Sequence, residues 1–297
     1  MAENLIDLRR HINAVKNTQK TFRAMKTVSA VKLRRSVTEL NKTKLVMAKI
    51  ISLLKQVEPA VDVDSHPLIK QRKSGKTIMV IVSADKGLCG AFNSHLINAA
   101  EKHYLSRLEE TGDDISLIIL GNKAINHFIK KNYPIKKTFK SVMSKLKSHH
   151  ILGLSRYLQD FYLTPEADIK KIEFVFTRYL SASKSEPEVK QLFPLGDEWR
   201  FEDVVFGSED ENEYIVEPSE KEIFEYLLPK YIDILVQQIL FQSVASEHNA
   251  RMIAMEQASQ NAEEIVRTLT LTMNKLRQSS ITGELLEVIT ATEALRK

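Results

Sequence analysis

The amino-acid sequence predicts a mixed α/β protein. Its N- and C-terminal segments form a long antiparallel two-helix coiled coil, and a central Rossmann-like α/β domain carries a mainly parallel sheet. Three observations lead there. Glycine and proline, the main interrupters of helices, are missing from both ends of the chain. Apolar residues at those ends recur with a 3.5-residue period. Between them, short β-branched runs alternate with stretches of helical spacing.

Residues 1–58 contain no glycine or proline, and Lys230–Lys297 contains Gly283 alone of the two types. At about 1.5 Å per residue these segments make helical rods of roughly 90 and 100 Å. In the first rod, Leu5, Leu8, Ile12, Val15 and Phe22 follow three- and four-residue steps, with Gln19 breaking the row. Leu33, Val37, Leu40, Lys44, Met47, Ile51 and Leu54 continue them. In the second rod, Met255, Ala258, Ala262, Ile265, Leu269, Thr272 and Leu276 do the same. That period marks a left-handed coiled-coil seam. Pairing the rods antiparallel buries both stripes and leaves the longer C-terminal rod overhanging as a single helix.

Residues 59–76 read as a linker and 77–196 as the α/β domain. Thr77–Ser83 and Ile115–Leu120 are buried strands, each followed by a helix, at Asn93–Leu108 and Asn122–Lys131. Ile135–Phe139 is a third strand, Ile151–Phe161 a helix and Lys171–Arg178 a fourth strand. Glu186–Leu195, interrupted by Pro187 and Pro194, reads as an edge strand. Residues 197–229 form an acidic return segment, flexible over 197–225, and 230–297 the C-terminal coiled-coil helix. No apolar run is long enough to span a membrane. The first residues lack the apolar core of a signal peptide and carry acids that transit peptides avoid.

The formal net charge of +5 conceals an asymmetry. Residues 1–58 hold thirteen Lys and Arg against four acids, whereas Asp197–Glu225 holds twelve acids against two bases. The basic rod calls for an acidic partner: a nucleic acid, an anionic membrane or an acidic protein surface. Phe22 is its only aromatic residue, so base stacking is not provided for.

Catalytic chemistry is hard to find. Gly75-Lys76-Thr77 looks like the tail of a phosphate loop, but it precedes a strand and Lys70 stands where the motif needs glycine. The turn Ser83–Asn93 follows the first strand, where doubly wound sheets bind ligands. Its glycines, Gly87 and Gly90, do not fit the dinucleotide pattern, and it reads as a tight strand-to-helix turn. The eight histidines show no zinc spacing, and the lone Cys89 reads as a buried filler. No catalytic, cofactor-binding or metal-binding residue is expected.

Three segments together resemble the gamma subunit of rotary ATP synthases. They are Ile12–Lys20 with Ala24–Arg35, the Asp85-Lys86-Gly87-Leu88-Cys89-Gly90 turn, and Ser246–Met255 with Asn274–Thr282. The resemblance implies a non-catalytic rotor shaft that couples proton or sodium flow to ATP synthesis or hydrolysis. The coiled coil would stand inside a ring of alpha and beta subunits, with the α/β domain on the membrane ring of c subunits and beside the epsilon subunit. By the same resemblance, Met25, Lys26 and Arg251 lie where the shaft meets the acidic beta-subunit tips. Gln278, Thr282 and Glu284 match an upper contact with the ring, and Arg34 and Arg35 are expected at a subunit interface. Gly283 departs from the family, which usually has glutamine there. The implied location is peripheral, on the cytoplasmic face of a bacterial cell membrane. The competing readings are a basic coiled-coil protein that binds nucleic acid or acts as a scaffold, and an enzyme using the sheet's ligand-binding end.

Overall fold

A computed structural model describes residues 2–196 and 217–294. The chain opens with α1 (Ala2–Val57), then β1 (Lys76–Val82), α2 (Phe92–Thr111), β2 (Ile115–Leu120), α3 (Asn122–Lys130) and β3 (Ile135–Phe139). It continues through α4 (Ser148–Leu163), β4 (Ile169–Tyr179), β5 (Ser185–Phe193) and α5 (Glu220–Ala294). Of the acidic stretch expected to be a flexible return, 197–216 lie outside the described residues. The molecule divides into two compact units, one of Met1–Ala30 with Arg251–Lys297, the other of Val31–Ala250. Both divisions fall inside the long helices.

In the second unit the strand order is β3-β2-β1-β4-β5. The first four strands are parallel, and β5 closes one edge antiparallel to β4. Pro187 has no N–H to give a ladder, and it sits on this edge strand as expected. Alternating residues of β1 face opposite layers. Ile78, Val80 and Val82 face a core shared with α4, the end of α1 and the start of α5. Met79 and Ile81 face α2 and α3. Phe224, Leu228, Ile232, Leu235 and Val236 of α5 are buried in the first of these cores. At roughly 1.5–3 kcal/mol per buried side chain, this packing and not helix propensity holds that part of α5.

The last helix starts ten residues before the expected Lys230, and Pro229 lies inside it. The start is a cap that Ser219 provides. The Glu222 amide donates to Ser219 Oγ at 3.3 Å, and that hydroxyl donates to Glu222 Oε1 at 3.4 Å. A serine followed three residues later by glutamate is a capping signal. An interior proline costs about 3 kcal/mol, which the burial of Phe224, Leu228, Tyr231 and Ile232 on either side offsets.

In the first unit α1 and α5 run antiparallel. Gln19 Nε2 donates to Ser259 O and Glu263 Oε2 at 3.3 and 3.2 Å. Arg23 reaches Ser259 Oγ at 3.4 Å and Glu263 Oε2 at 3.2 Å, and Lys26 pairs with Glu256. Continued at constant register, Leu5 lies opposite Arg277. The seam differs from the expected one. Ser259 is buried and Val266 half-buried, whereas Ile265 is 48% exposed. The α1 residues of the second unit show the same slip: Ser36 and Thr43 are buried, while Lys44 is exposed. A small hydroxyl side chain is cheap to bury when it bonds its own helix, as Thr43 Oγ1 does to Leu40 O at 2.7 Å.

Candidate functional site

The ligand-binding end of a doubly wound sheet lies beyond the carboxyl ends of its central strands, here β1 and β4. Helix α5 covers it. Ser243 Oγ donates to Val82 O at 3.3 Å, Ser246 Oγ to Thr177 O at 3.1 Å, and Asn249 Nδ2 to Ala182 O at 3.0 Å. Half-buried Ala250 packs on Ala84, Cys89 and Phe92. Two of the sequence signatures, the Ser83–Asn93 turn and the Ser246–Ala250 segment, therefore pack against each other.

The turn's polar groups are engaged within the protein. Asp85 accepts from the amides of Asn122 at 3.3 Å and Ser144 at 2.7 Å. Asn93 Oδ1 accepts from the Ala84 amide at 3.1 Å, and its Nδ2 donates to Cys89 Sγ at 3.0 Å. Ser83 Oγ lies 3.1 Å from both Leu120 O and Gly121 O and accepts from the Ala124 amide at 3.0 Å. Gly75-Lys76-Thr77 is likewise structural. Gly75 has φ +120°, Lys76 N donates to Asp168 O at 2.7 Å, and Thr77 Oγ1 donates to Asp113 Oδ2 at 3.3 Å. What this end of the sheet can do is fasten a helix, and buried hydrogen bonds there resist sliding as well as separation. Farther along, Asp233 Oδ1 accepts from Ser155 Oγ at 2.6 Å and Gln159 Nε2 at 3.2 Å, which ties α5 to α4.

The residues expected at subunit contacts occupy different settings. Met25 is half-buried in the coil, Lys26 is held by Glu256, and Arg251 is buried. Gln278, Thr282 and Glu284 are exposed. Thr282 Oγ1 donates to Gln278 O at 2.9 Å, and Glu284 Oε1 accepts from Ser280 Oγ at 3.2 Å. The four-residue step puts Gln278 and Thr282 on one face of α5, with Glu284 turned well away from it. Arg34 and Arg35 are both exposed on α1, and Arg35 alone of the two lines a cavity of about 520 Å³.

A surface that sequence reasoning had not singled out lies on the same end of α5. Ile281, Leu285, Leu286, Val288 and Ile289 are each at least half exposed. Beyond the paired length, these side chains share one side of the helix, with Glu284 and Glu287 on the other. Apolar area gathered in this way marks a surface that a partner covers. The signal was available in the four- and three-residue steps of Ile281, Leu285 and Val288, which are out of register with the seam expected from Met255 to Leu276. No helix among the described residues is long and apolar enough to cross a membrane.

Comparison with known proteins covers the whole length. The profile of a family described as ATP synthase matches residues 4–295. The ATP synthase gamma chain of Geotalea uraniireducens is 36% identical over 293 residues, covering 99% of each chain. That of a Sulfurihydrogenibium species is 32% identical over 291 residues, covering 98% of each. Among solved structures, a chain of the Euglena gracilis mitochondrial ATP synthase (OSCP/F1/c-ring, rotational state 3) superposes with a TM-score of 0.64 at 18% identity. That match covers 99% of this chain and 95% of the other, and it shows a shared fold.

Proposed function

The chain belongs to the ATP synthase gamma-chain family, and from that premise we propose that it is the central rotor shaft of a rotary ATP synthase. It is a non-catalytic subunit. Its coiled coil turns inside a ring of alpha and beta subunits, and its α/β unit meets the c-subunit ring and the epsilon subunit. Proton or sodium flow through the membrane ring drives the turning. The complex then makes ATP, or hydrolyses it in reverse. A single asymmetric shaft in a threefold ring contacts three sites unequally, so each orientation favours a different nucleotide affinity at each site. The coupling is free energy carried by differential contacts.

The observation that carries this reading is the coil itself. Two antiparallel helices are paired for part of their length, and one then continues unpaired with a stripe of apolar side chains exposed along one side. Such an end fits a sleeve. The fastening of α5 to the sheet end through Ser243, Ser246 and Asn249, and to α4 through Asp233, supports a torque-bearing role. Met25, Lys26 and Arg251 are assigned to the acidic beta-subunit tips, and Arg34 and Arg35 to a subunit interface. Gln278, Thr282 and Glu284 are assigned to the upper ring contact. The complex holds the chain peripherally, on the cytoplasmic face of a bacterial membrane.

Affinity purification of the chain from native membranes tests the assignment. Alpha, beta and epsilon subunits are expected with it, and recovery as a membrane-free monomer would overturn it. Charge reversal of Arg34 and Arg35 together is expected to weaken ATP-driven ion pumping in membrane vesicles. Unchanged pumping would remove these arginines from the interface.

A further inference from the structure

The cavity of about 520 Å³ in the second unit lies between α1, the segment leading into α4, and α5. Lys32, Arg35, Lys145 and Lys147 line it, all exposed. None of the four side chains has an ion-pair or hydrogen-bond partner among the described residues. The one acid on its wall, Glu39, is already engaged by Lys42 at 3.0 Å. Ser148, also on the wall, opens a helix of sixteen residues, whose first amides present the positive end of its dipole. Phe241 supplies an apolar, aromatic side.

We propose that this cavity binds a small phosphate-bearing polyanion. Four cations without counter-charges around one concavity repel one another, and an anion placed among them relieves that repulsion. Guanidinium and helix-terminal amides both match the oxygens of phosphate. The volume falls within the range of about 300–1,000 Å³ typical of small-molecule sites. The site shares Arg35 with the interface assigned above, so binding to the isolated chain, read apart from pumping, tests it separately.

Isothermal titration calorimetry of the full chain with pyrophosphate and, separately, with ADP tests the proposal. Saturable one-to-one binding of both is expected. Arg35→Ala and Lys145→Ala should each weaken it about tenfold, the loss of one charge-assisted contact. Lys44→Ala, an exposed lysine of α1 outside the cavity, should leave it unchanged. Tighter binding of ADP than of pyrophosphate would assign the nucleoside to the Phe241 side. Equal affinities would assign the site to the phosphates alone. Circular dichroism checks that each variant is folded. Three results would overturn the proposal: no saturation by either ligand, equal weakening in Lys44→Ala, or binding of an oligoglutamate peptide alone.

Discussion

Gly121 shows how narrowly the closed end of the sheet is built. Its φ is +92°, and a Cβ there would lie 2.1 Å from the carbonyl oxygen of Ser83. Gly121→Ala therefore meets both backbone strain and a clash with main-chain atoms. It should destabilise the protein by about 3 kcal/mol or more, measured by denaturant unfolding. Glu173 gives a prediction of a different kind. Its side chain is fully buried on β4, 2.5 Å from His103 Nε2 and 2.7 Å from Lys171 Nζ. Burial alone would raise its pKa, but the hydrogen bonds from His103 and Lys171 outweigh that and hold it below the ordinary glutamate value. The stabilisation is thus complete above the unfolded pKa of about 4.3 and fades as pH falls through the lower folded value. At neutral pH, Glu173→Gln should cost about 2 kcal/mol. The gap between the variant and the native protein should close as the medium is acidified below pH 4, followed by urea unfolding across a pH series.

At the scale of elements, the coil separates internal contacts from external ones. Lys26 is paired with Glu256 across the coil, and both side chains are about two-fifths exposed. The pair contributes only about 0.5 kcal/mol. Lys26→Glu should lose that stability and, if Lys26 also faces an acidic partner, ATP-driven pumping as well. The charge swap Lys26→Glu with Glu256→Lys should restore the unfolding midpoint but not the pumping. Pumping restored by the swap would confine Lys26 to the coil. The elements themselves were mostly legible, since strand runs such as Thr77–Ser83 and Ile115–Leu120 are short and β-branched with clear turns around them. The seam was less so. Hydropathy ranks Ile265 above Ser259, but the angular position set by Met255 and Ala262 buries Ser259 and turns Ile265 outward. The start of α5 was hidden because Pro229 reads as a helix stop. The cap at Ser219 and Glu222 and the burial of Phe224 and Leu228 override it. The cations of the cavity come from segments more than a hundred residues apart in the chain, and no local pattern connects Arg35 with Lys145.

At the scale of the whole molecule, the same two helices serve two units with different tasks. Residues 47–57 and much of 220–250 are held among α4, the sheet and its loops, and residues 251–294 pair with the start of α1 or continue alone. Removing residues 282–297 takes away, among the described residues, exposed side chains and Gly283, which has no neighbour within 4 Å of its missing Cβ. The unfolding free energy should change by no more than about 0.5 kcal/mol. Recovery of alpha and beta subunits in a pull-down should fall, because the tip is the part assigned to the ring. Equal recovery would place the ring contact elsewhere on the coil.

That apolar tip also bears on how the cell must handle the subunit. A lone helix with Leu285, Leu286, Val288 and Ile289 facing water is sticky until something encloses it. Copies made in excess of the ring would clump or be degraded, so the abundance of the chain is set by the supply of its housing. Synthesis in matched amounts then becomes a physical requirement of the sequence and not only a matter of economy.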